Sequence, residues 1–348
     1  MKKILLLVII SIFAGAVVFA GNPDRQGEAG AGELLINPWA ASAGLHTLNT
    51  ASVSGVEALR LNVAGIGRGF ERTSLAISNT QMFVGTGVQL NAFGLAQKLS
   101  ESNTLGVSIV SMDFGDIPVT TFDNPEGTGG YYSPRFFQLG VGYSYTYQNK
   151  ISVGVLFRTV SESLDDVSAT AFAVDAGVSY LAGEKDNFKL GVSIRNVGTP
   201  MRFGGEGLSF LGKNPSGEGD YQLTFSQRSA GFELPSMLNI GVSYDFYLES
   251  KSYIRALGNF TSNAFSLDEL GAGLEANFRN FFVARVAYKY EIGAELLDER
   301  NAYSGLAAGF SVMAPIKKGS SRKIALDYAY RATHVFNGTH NFGVRLEI

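Results

Sequence analysis

Histidine is the residue type in this chain best suited to metal binding and acid–base chemistry, and it occurs at His46, His334 and His340. His334 and His340 flank the last predicted hairpin loop and could approach each other, but no spacing among the three matches a zinc site. The chain contains no cysteine, which excludes disulfides, thiolate metal sites and a lipid anchor on cysteine. We therefore expect His334 and His340 to be solvated loop residues, and we predict no metal site.

Three other patterns contain residue types that catalysis uses, but none has the surroundings that catalysis needs. The acidic pairs Asp165–Asp166 and Asp298–Glu299 look like exposed loop carboxylates. The glycine-rich stretches Gly27–Gly32 and Gly65–Gly69 lack the strand–loop–helix order of a phosphate-binding loop. Gly-Val-Ser, a fragment of the Gly-x-Ser-x-Gly nucleophile motif without its second glycine, occurs at Gly106–Ser108, Gly177–Ser179, Gly191–Ser193 and Gly241–Ser243. We predict no catalytic residues, no cofactor and no enzymatic activity.

The elements that must position these residues are strands with one apolar face and one polar face. From Phe137 to Tyr147 every second residue is apolar or aromatic, and the residues between are Gln, Gly, Ser or Thr. The same alternation recurs in residues 188–194, 238–246, 282–290, 324–330 and 342–348. Because lipid accepts the apolar face and a wet lumen accepts the polar one, the pattern predicts an all-β fold, a transmembrane antiparallel β-barrel. We count about fourteen strands, and an even number is expected for bacterial outer-membrane barrels.

The composition agrees with a barrel wall. Glycine accounts for 42 of the 348 residues, tyrosine for 15 and phenylalanine for 25, as expected where rings lie at the membrane interfaces and small residues line the lumen. Only 17% of the residues are charged, yet no stretch after residue 20 has the roughly 18 apolar residues that a membrane helix needs. The net charge of −3 provides no basic patch, so we expect no nucleic-acid partner.

The N-terminus has the pattern of a secretory signal peptide. Two lysines after Met1 precede an apolar run from Ile4 to Phe19, and a small-residue cleavage site ends at Ala20. We predict that residues 1–20 are a signal peptide. The alternative is a membrane anchor, but the run is short and lacks a charged residue on its far side. An exported barrel is expected in the outer membrane of a Gram-negative bacterium, surrounded by outer-membrane lipid.

The predicted connections fall into two groups, as expected for a barrel with short periplasmic turns and longer outside loops. The predicted periplasmic turns are Ser100–Asn103, Gln148–Lys150, Gly183–Asn187, Leu248–Lys251, Arg279–Asn280 and Ala314–Ser321. The two longest predicted outside loops are Gly115–Arg135 and Val197–Pro235.

Charged residues of both signs occupy predicted lumen-facing positions. They are Asp175, Arg195, Asp245, Glu275, Arg285, Lys289, Asp327, Arg331 and Arg345. A strongly selective ion pore would favour a ring of one sign at a constriction. We therefore expect these residues to form pairs that rigidify the wall or hold a plug.

Residues 21–69 do not alternate, and we predict that they form a hatch inside the mouth of a barrel that comprises residues 70–348. This segment resembles the N-terminal signature of the FadL-like barrels, in particular of the PorV/PorQ branch, which reads ARAAGMGGA and then ADDASAAYWNPAGLA. Residues 38–46 correspond to the first block, with a glycine at Gly44, and residues 52–66 correspond to the second. The Asn, Ala and Gly of the Asn-Pro-Ala-Gly tetrad match Asn62, Ala64 and Gly65. Two positions depart from the pattern, since Val63 replaces the proline and His46 replaces a glycine.

The resemblance implies an outer-membrane component of type IX protein secretion. Such proteins bind secreted cargo proteins or other secretion components on the outer face, through their long outside loops. The candidate partner-binding residues of those loops are Phe122, Tyr131, Tyr132, Met201, Phe203, Phe210 and Tyr221. The alternative for these residues is that they pack onto the barrel mouth as a cap.

Two other functions remain open from the sequence. The first is a FadL-like channel for hydrophobic small molecules, which would need an apolar pocket in the lumen and a lateral opening in the wall. The second is a purely structural subunit of a larger envelope complex. The residues that the alternation assigns to the lumen face are mostly glycine, serine and charged residues, which argues against an apolar binding tunnel.

Overall fold

The computed structural model describes residues 21–213, 221–248, 251–294, 302–317 and 322–348. The predicted signal peptide, residues 1–20, lies outside the described residues. So do Asp298 and Glu299, parts of the predicted turns Leu248–Lys251 and Ala314–Ser321, and residues 214–220 of the longest predicted loop.

Fourteen antiparallel strands form a closed barrel, so the predicted all-β barrel of about fourteen strands is confirmed. The wall strands are β1 (Thr73–Gln81), β2 (Gln89–Lys98), β3 (Asn103–Asp113), β6 (Arg135–Tyr147), β7 (Ile151–Leu164), β8 (Val167–Ala182), β9 (Phe188–Gly198), β14 (Met237–Tyr247), β15 (Tyr253–Asn263), β16 (Glu269–Phe278), β17 (Phe282–Glu291), β18 (Tyr303–Pro315), β19 (Lys323–Thr333) and β20 (Thr339–Glu347). Each wall strand pairs with the next wall strand along the chain. The wall is closed by the pairing of β1 with β20, from Ser74↔Glu347 to Gln81↔His340.

The remaining elements are short and lie before β1 or in the long loops. The loop strands are β4 (Ile117–Pro118) with β5 (Tyr131–Tyr132), β10 (Met201–Arg202) with β13 (Gly231–Phe232), and β11 (Ser209–Lys213) with β12 (Gln222–Ser226). The helices are α1 (Ala40–Ala43) and α2 (Ala58–Leu61), with 3-10 turns at Pro23–Arg25, Gly32–Leu35, Gly55–Glu57, Val63–Gly65 and Glu206–Leu208. None of these described helices is long and apolar enough to cross a membrane.

Side chains alternate between the two faces of the wall as the sequence predicts. In β6, Val141 is 42% exposed on the outer face, whereas Gln138 is 1% exposed on the lumen face. Each of the fourteen wall strands has at least one exposed large apolar side chain on the outer face, as a bilayer requires of a closed barrel. A closed, even-stranded barrel with this outer face is the architecture of a bacterial outer-membrane protein.

The short and the long connections lie at opposite ends of the barrel. Gln148 and Asn149 form one of the short turns with positive φ angles of 47° and 55°, as tight hairpins require. The chain segments 114–134 and 199–236 are the two longest loops, and both leave the opposite end. One connection at the long-loop end is itself tight, because Asp165 and Asp166 alone join β7 to β8.

Candidate functional site

The hatch segment lies inside the barrel, against glycines of the wall. A side-chain carbon on Gly154 of β7 would lie 2.8 Å from the carbonyl carbon of Val63, and one on Gly106 of β3 would lie 2.9 Å from Leu59. The glycine of every Gly-Val-Ser repeat faces the hatch in this way: Gly106 meets Leu59, Gly177 meets Asn62, Gly191 meets Ala51, and Gly241 meets Ala51 and Thr50. The repeats therefore provide close backbone approach rather than nucleophiles, since only glycine leaves this space.

Four hatch residues were singled out by the family resemblance, and they connect parts of the hatch to each other and to the wall. They are Gly44, Asn62, Ala64 and Gly65. Asn62 donates from Nδ2 to the carbonyls of Thr50 and Val178, each 3.1 Å away, and its Oδ1 accepts from the amide of Ala64 at 3.2 Å. A side chain on Gly65 would clash with the carbonyl of Val53 inside the hatch. Gly44 approaches the wall, where an added carbon would lie 3.1 Å from the α-carbon of Gly309.

His46 adopts a left-handed backbone conformation, which glycine adopts more easily than other residues do. Its φ angle is 49°, and that of Thr47 is 68°. The ring of His46 is 3% exposed, and its Nε2 has no hydrogen-bond partner among the described residues. Burial, together with the positive charges of Lys289 and Arg331, lowers the pKa of His46 well below its usual value, so the imidazole is neutral at neutral pH.

The other two histidines differ in their surroundings, since His334 is exposed and lines a small cavity together with His46, whereas His340 lies in strand β20. His340 packs in the wall, where its Nδ1 is 2.8 Å from the hydroxyl of Tyr328, so the expectation that it is a solvated loop residue was wrong. The described ranges contain no group of three His, Asp or Glu side chains arranged to hold a metal ion.

Most of the predicted lumen charges are paired, and many of them form one continuous ion-pair belt. The belt runs through eight neighbouring strands from Lys189 on β9 to Arg345 on β20, by way of Asp245, Arg255, Glu275, Arg285, Ser311 and Asp327. Glu275 is 2.9 Å from Arg255 and 2.8 Å from Arg285. Asp175 pairs with the fully buried Arg158 at 2.6 Å. The belt cross-links the wall in the half nearer the short turns, whereas the Arg158–Asp175 pair lies near the middle of β7 and β8.

Above the hatch, at the long-loop end, the lumen contains a cavity of about 420 Å³, which we term the outer cavity. Its apolar lining includes Leu35, Ile36, Leu48, Met237 and Leu267, and its polar lining includes His46, Arg195, Asn239, Asn263, Glu269, Lys289, Glu291, Tyr303 and Arg331. Its size is within the range of small-molecule sites, and it combines apolar walls with a few polar groups, as such sites do.

A break in strand pairing lies beside the outer cavity, and we term it the wall break. β17 continues to Glu291, but its pairing with β18 ends at Tyr288↔Leu306. β18 carries two extra residues relative to β19, because Tyr303 pairs with Thr333 and Ala307 pairs with Arg331. The bulge includes Gly305, whose φ angle of 87° favours glycine.

A smaller cavity of about 100 Å³ occupies the wall break. It shares His46, Lys289, Glu291 and Tyr303 with the outer cavity, and it is also lined by Tyr288 and Tyr290, whose rings lie on the lipid face. Among the described residues, this smaller cavity therefore adjoins both the lumen and the lipid side of the wall.

The predicted loop residues divide into an exposed group and a buried group. Phe122, Tyr131, Phe210 and Tyr221 are between 55% and 101% exposed, while Tyr132 is half-buried. Met201 is fully buried and Phe203 packs against the same core, with its ring centroid 5.9 Å from that of Phe232. The prediction that Met201 offers a binding surface was therefore wrong, because the short pairing of β10 with β13 folds this part of the loop onto the barrel mouth.

Sequence reasoning placed Arg331 and Lys289 in the lumen but missed the outer cavity and the wall break. The sequence carries one signal for the bulge at Tyr303, Ser304 and Gly305, because a glycine within a strand often marks a bulge. Their pairing with β17 and β19 involves distant parts of the chain, so the local pattern does not reveal it.

The comparisons with known proteins agree with this architecture. No protein-family model matches the sequence, and no curated protein matches it. Among solved structures, the CymD monoaromatic hydrocarbon channel has a TM-score of 0.53 and 13% identity, with 90% of this chain and 97% of that chain covered. A mutant of the TodX monoaromatic hydrocarbon channel has a TM-score of 0.53 and 13% identity, with 88% and 96% covered.

A FadL homologue from Pseudomonas aeruginosa is similar to this chain as well, with a TM-score of 0.50, 12% identity, and coverage of 88% and 95%. The chain therefore has a FadL-like barrel fold. At these identities the likeness concerns the fold alone.

Proposed function

We propose that this protein is a FadL-like channel that takes up small, partly hydrophobic molecules across the outer membrane. The observation that carries this proposal is the outer cavity in the lumen, which adjoins the wall break. Together they provide the pocket and the lateral opening that such a channel needs. The neighbours that are named as hydrocarbon channels or as a FadL homologue are consistent with this function.

The path we propose runs from the outer cavity through the wall break rather than straight through the lumen. The hatch fills the lumen beneath the cavity, where Leu45 and Leu48 are 1% and 2% exposed. The ion-pair belt cross-links the wall strands around the hatch. Molecules in the cavity therefore have the break between β17 and β18 as their route to the membrane phase.

Uptake into cells tests this proposal. A Gram-negative host without its own channels of this kind would express the protein, and radiolabelled ethylbenzene, 4-ethylbenzamide and 4-ethylbenzoate would be supplied separately. We expect at least one of these probes to enter faster than into cells with empty vector. Equal uptake of all three with and without the protein would overturn the proposed function.

Deleting Ser304 and Gly305 tests the lateral route. Removing two residues preserves the inward and outward alternation of β18 while it restores regular pairing with β19. We expect uptake to fall to the vector level with the barrel still folded, as judged by its heat-modifiable mobility on gels. Ser304→Ala keeps the bulge and should leave uptake unchanged. Unchanged uptake in the deletion variant would show that the break is not the route.

A second candidate function is the one implied by the PorV/PorQ resemblance, namely binding of secreted cargo or other type IX secretion components. The observation that favours it is the β11–β12 hairpin, where Phe210 and Leu211 are 55% and 67% exposed. Exposed apolar residues of this kind suit partner binding.

Replacing Phe210 and Leu211 with serine tests the second candidate. The change removes exposed apolar surface without altering a wall strand, so the barrel should assemble normally. In a host with a type IX system, cargo secretion or co-purification of secretion components should fall if the hairpin binds them. Normal secretion at full barrel level would argue against the hairpin as the binding element. Phe122, in the other long loop, would be the next residue to replace.

A further inference from the structure

The outer cavity contains an unpaired, buried guanidinium group. Arg331 is 4% exposed, and its Nε and Nη2 have no hydrogen-bond partner among the described residues. Its guanidinium carbon lies 4.9 Å from the centroid of the Tyr303 ring. Arg331 takes part in none of the ion pairs found in the described ranges. Within the described residues this buried guanidinium has only the face of the Tyr303 ring beside it, and a buried charge with so little pairing is costly.

Among the described residues, those that line the cavity contain five buried side-chain nitrogens, and no buried side-chain oxygen, without a hydrogen-bond partner. Besides the two of Arg331, they are Nε of Arg195, Nδ2 of Asn239 and Nε2 of His46. The ammonium of Lys289 already forms an ion pair with Glu269, at 2.8 Å, so it does not need a ligand as its partner. A set of unpartnered nitrogens, most of them donors, favours a ligand that brings oxygen acceptors and negative charge.

The arrangement of the two unpartnered nitrogens of Arg331 favours a carboxylate over other anions. Nε and Nη2 form one edge of the guanidinium plane, and two parallel hydrogen bonds from such an edge match the two oxygens of a carboxylate. The same cavity has apolar walls at Leu48, Met237 and Leu267, which suit an uncharged body of limited length.

We propose that the outer cavity binds an organic carboxylate with a short apolar body, and that Arg331 holds the carboxylate. This inference rests on the proposed function, because it names the substrate class of the same cavity. A neutral hydrocarbon would leave the nitrogens of Arg331 without partners, so the charged ligand is preferred. Arg331 is then a specificity-determining residue of the channel.

Calorimetric titration of the purified protein in a non-ionic maltoside detergent tests this inference. The probes are 4-ethylbenzoate and 4-ethylbenzamide, which have nearly the same shape and differ in charge. We expect the carboxylate to bind at least about tenfold more tightly than the amide at neutral pH, since hydrogen bonds to charged groups are the stronger ones. Arg331→Gln should abolish that difference, and Arg331→Lys should restore part of it.

Arg202→Gln is the matched control, because Arg202 is exposed on β10 and does not line the cavity. It changes the net charge equally and should leave the preference intact. Heat-modifiable mobility shows that each variant is folded. Equal affinity for the two probes, a preference that survives in Arg331→Gln, or no binding of either probe would overturn the inference. Facilitated uptake of the amide or of ethylbenzene would still support the proposed function in each of those cases.

Discussion

Asn62 donates a hydrogen bond from its Nδ2 to the backbone carbonyl of Val178, 3.1 Å away, and so joins the hatch to strand β8. The same nitrogen donates to Thr50 within the hatch, and both ends of the amide are therefore used. One side chain thus fixes the path of the hatch and its attachment to the wall.

Asn62→Ala should loosen the hatch without unfolding the barrel. The change removes one donor from two buried carbonyls, and we expect a loss of about 1–3 kcal/mol in the local free energy of hatch opening. Hydrogen exchange of the hatch amides should accelerate while the wall strands stay protected. Asn124→Ala, in the exposed loop after β3, is the control and should change the hydrogen exchange of neither the hatch nor the wall strands. Unaltered hatch protection in Asn62→Ala would contradict the assigned role.

Gly154→Val should displace the hatch, because the added side chain would meet the backbone of Val63. We expect the lumen to open and single-channel conductance in planar bilayers to rise above that of the parent protein. Gly258→Ala is the control, since an added carbon there has nothing nearer than 3.7 Å. A folded Gly154→Val barrel with unchanged conductance would show that the hatch tolerates the larger side chain.

Glu275→Ala should destabilise the wall strongly. It leaves Arg255 and Arg285 buried without their shared carboxylate, and breaking a buried ion pair costs about 3–5 kcal/mol. Urea unfolding of the barrel in lipid vesicles measures the effect. Lys150→Ala breaks an exposed pair with Asp186 and should cost about 1 kcal/mol or less. Similar losses in the two variants would mean that the belt does not stabilise the wall.

Val242→Arg should cost about 2–4 kcal/mol in the same unfolding assay, because Val242 is 45% exposed on the lipid face in the middle of β14. Val242→Leu keeps the side chain apolar and should be tolerated. An arginine variant as stable as the leucine variant would show that this face does not contact lipid.

The barrel was predictable from the sequence because strand alternation is local. Residues 137–147 show it directly, and β6 occupies Arg135–Tyr147. The hatch is different, since Asn62 binds Val178 and Arg60 binds Gln138, 78 residues away in the chain. Such contacts follow from how the barrel closes, which no local pattern contains.

The candidate site was less predictable for the same reason. Arg331 was correctly placed in the lumen, yet its lack of a partner depends on the positions of Glu269, Lys289 and the other lining residues. The burial of Met201 depends on the pairing of two-residue strands, which is too short to leave a periodic signal. The two extra residues of β18 are defined by its pairing with β19, so the sequence of β18 alone does not reveal them.

Uptake by cells that carry Leu267→Trp or Leu270→Trp tests the central claim most directly. Leu267 lines the outer cavity, whereas Leu270 lies on the lipid face and is 53% exposed. The indole at residue 267 should fill the cavity and reduce uptake of radiolabelled 4-ethylbenzoate to the level of empty vector. The indole at residue 270 adds the same bulk outside the cavity and should leave uptake at the parental rate. Parental uptake in a folded, membrane-inserted Leu267→Trp barrel would contradict the claim that molecules pass through the outer cavity.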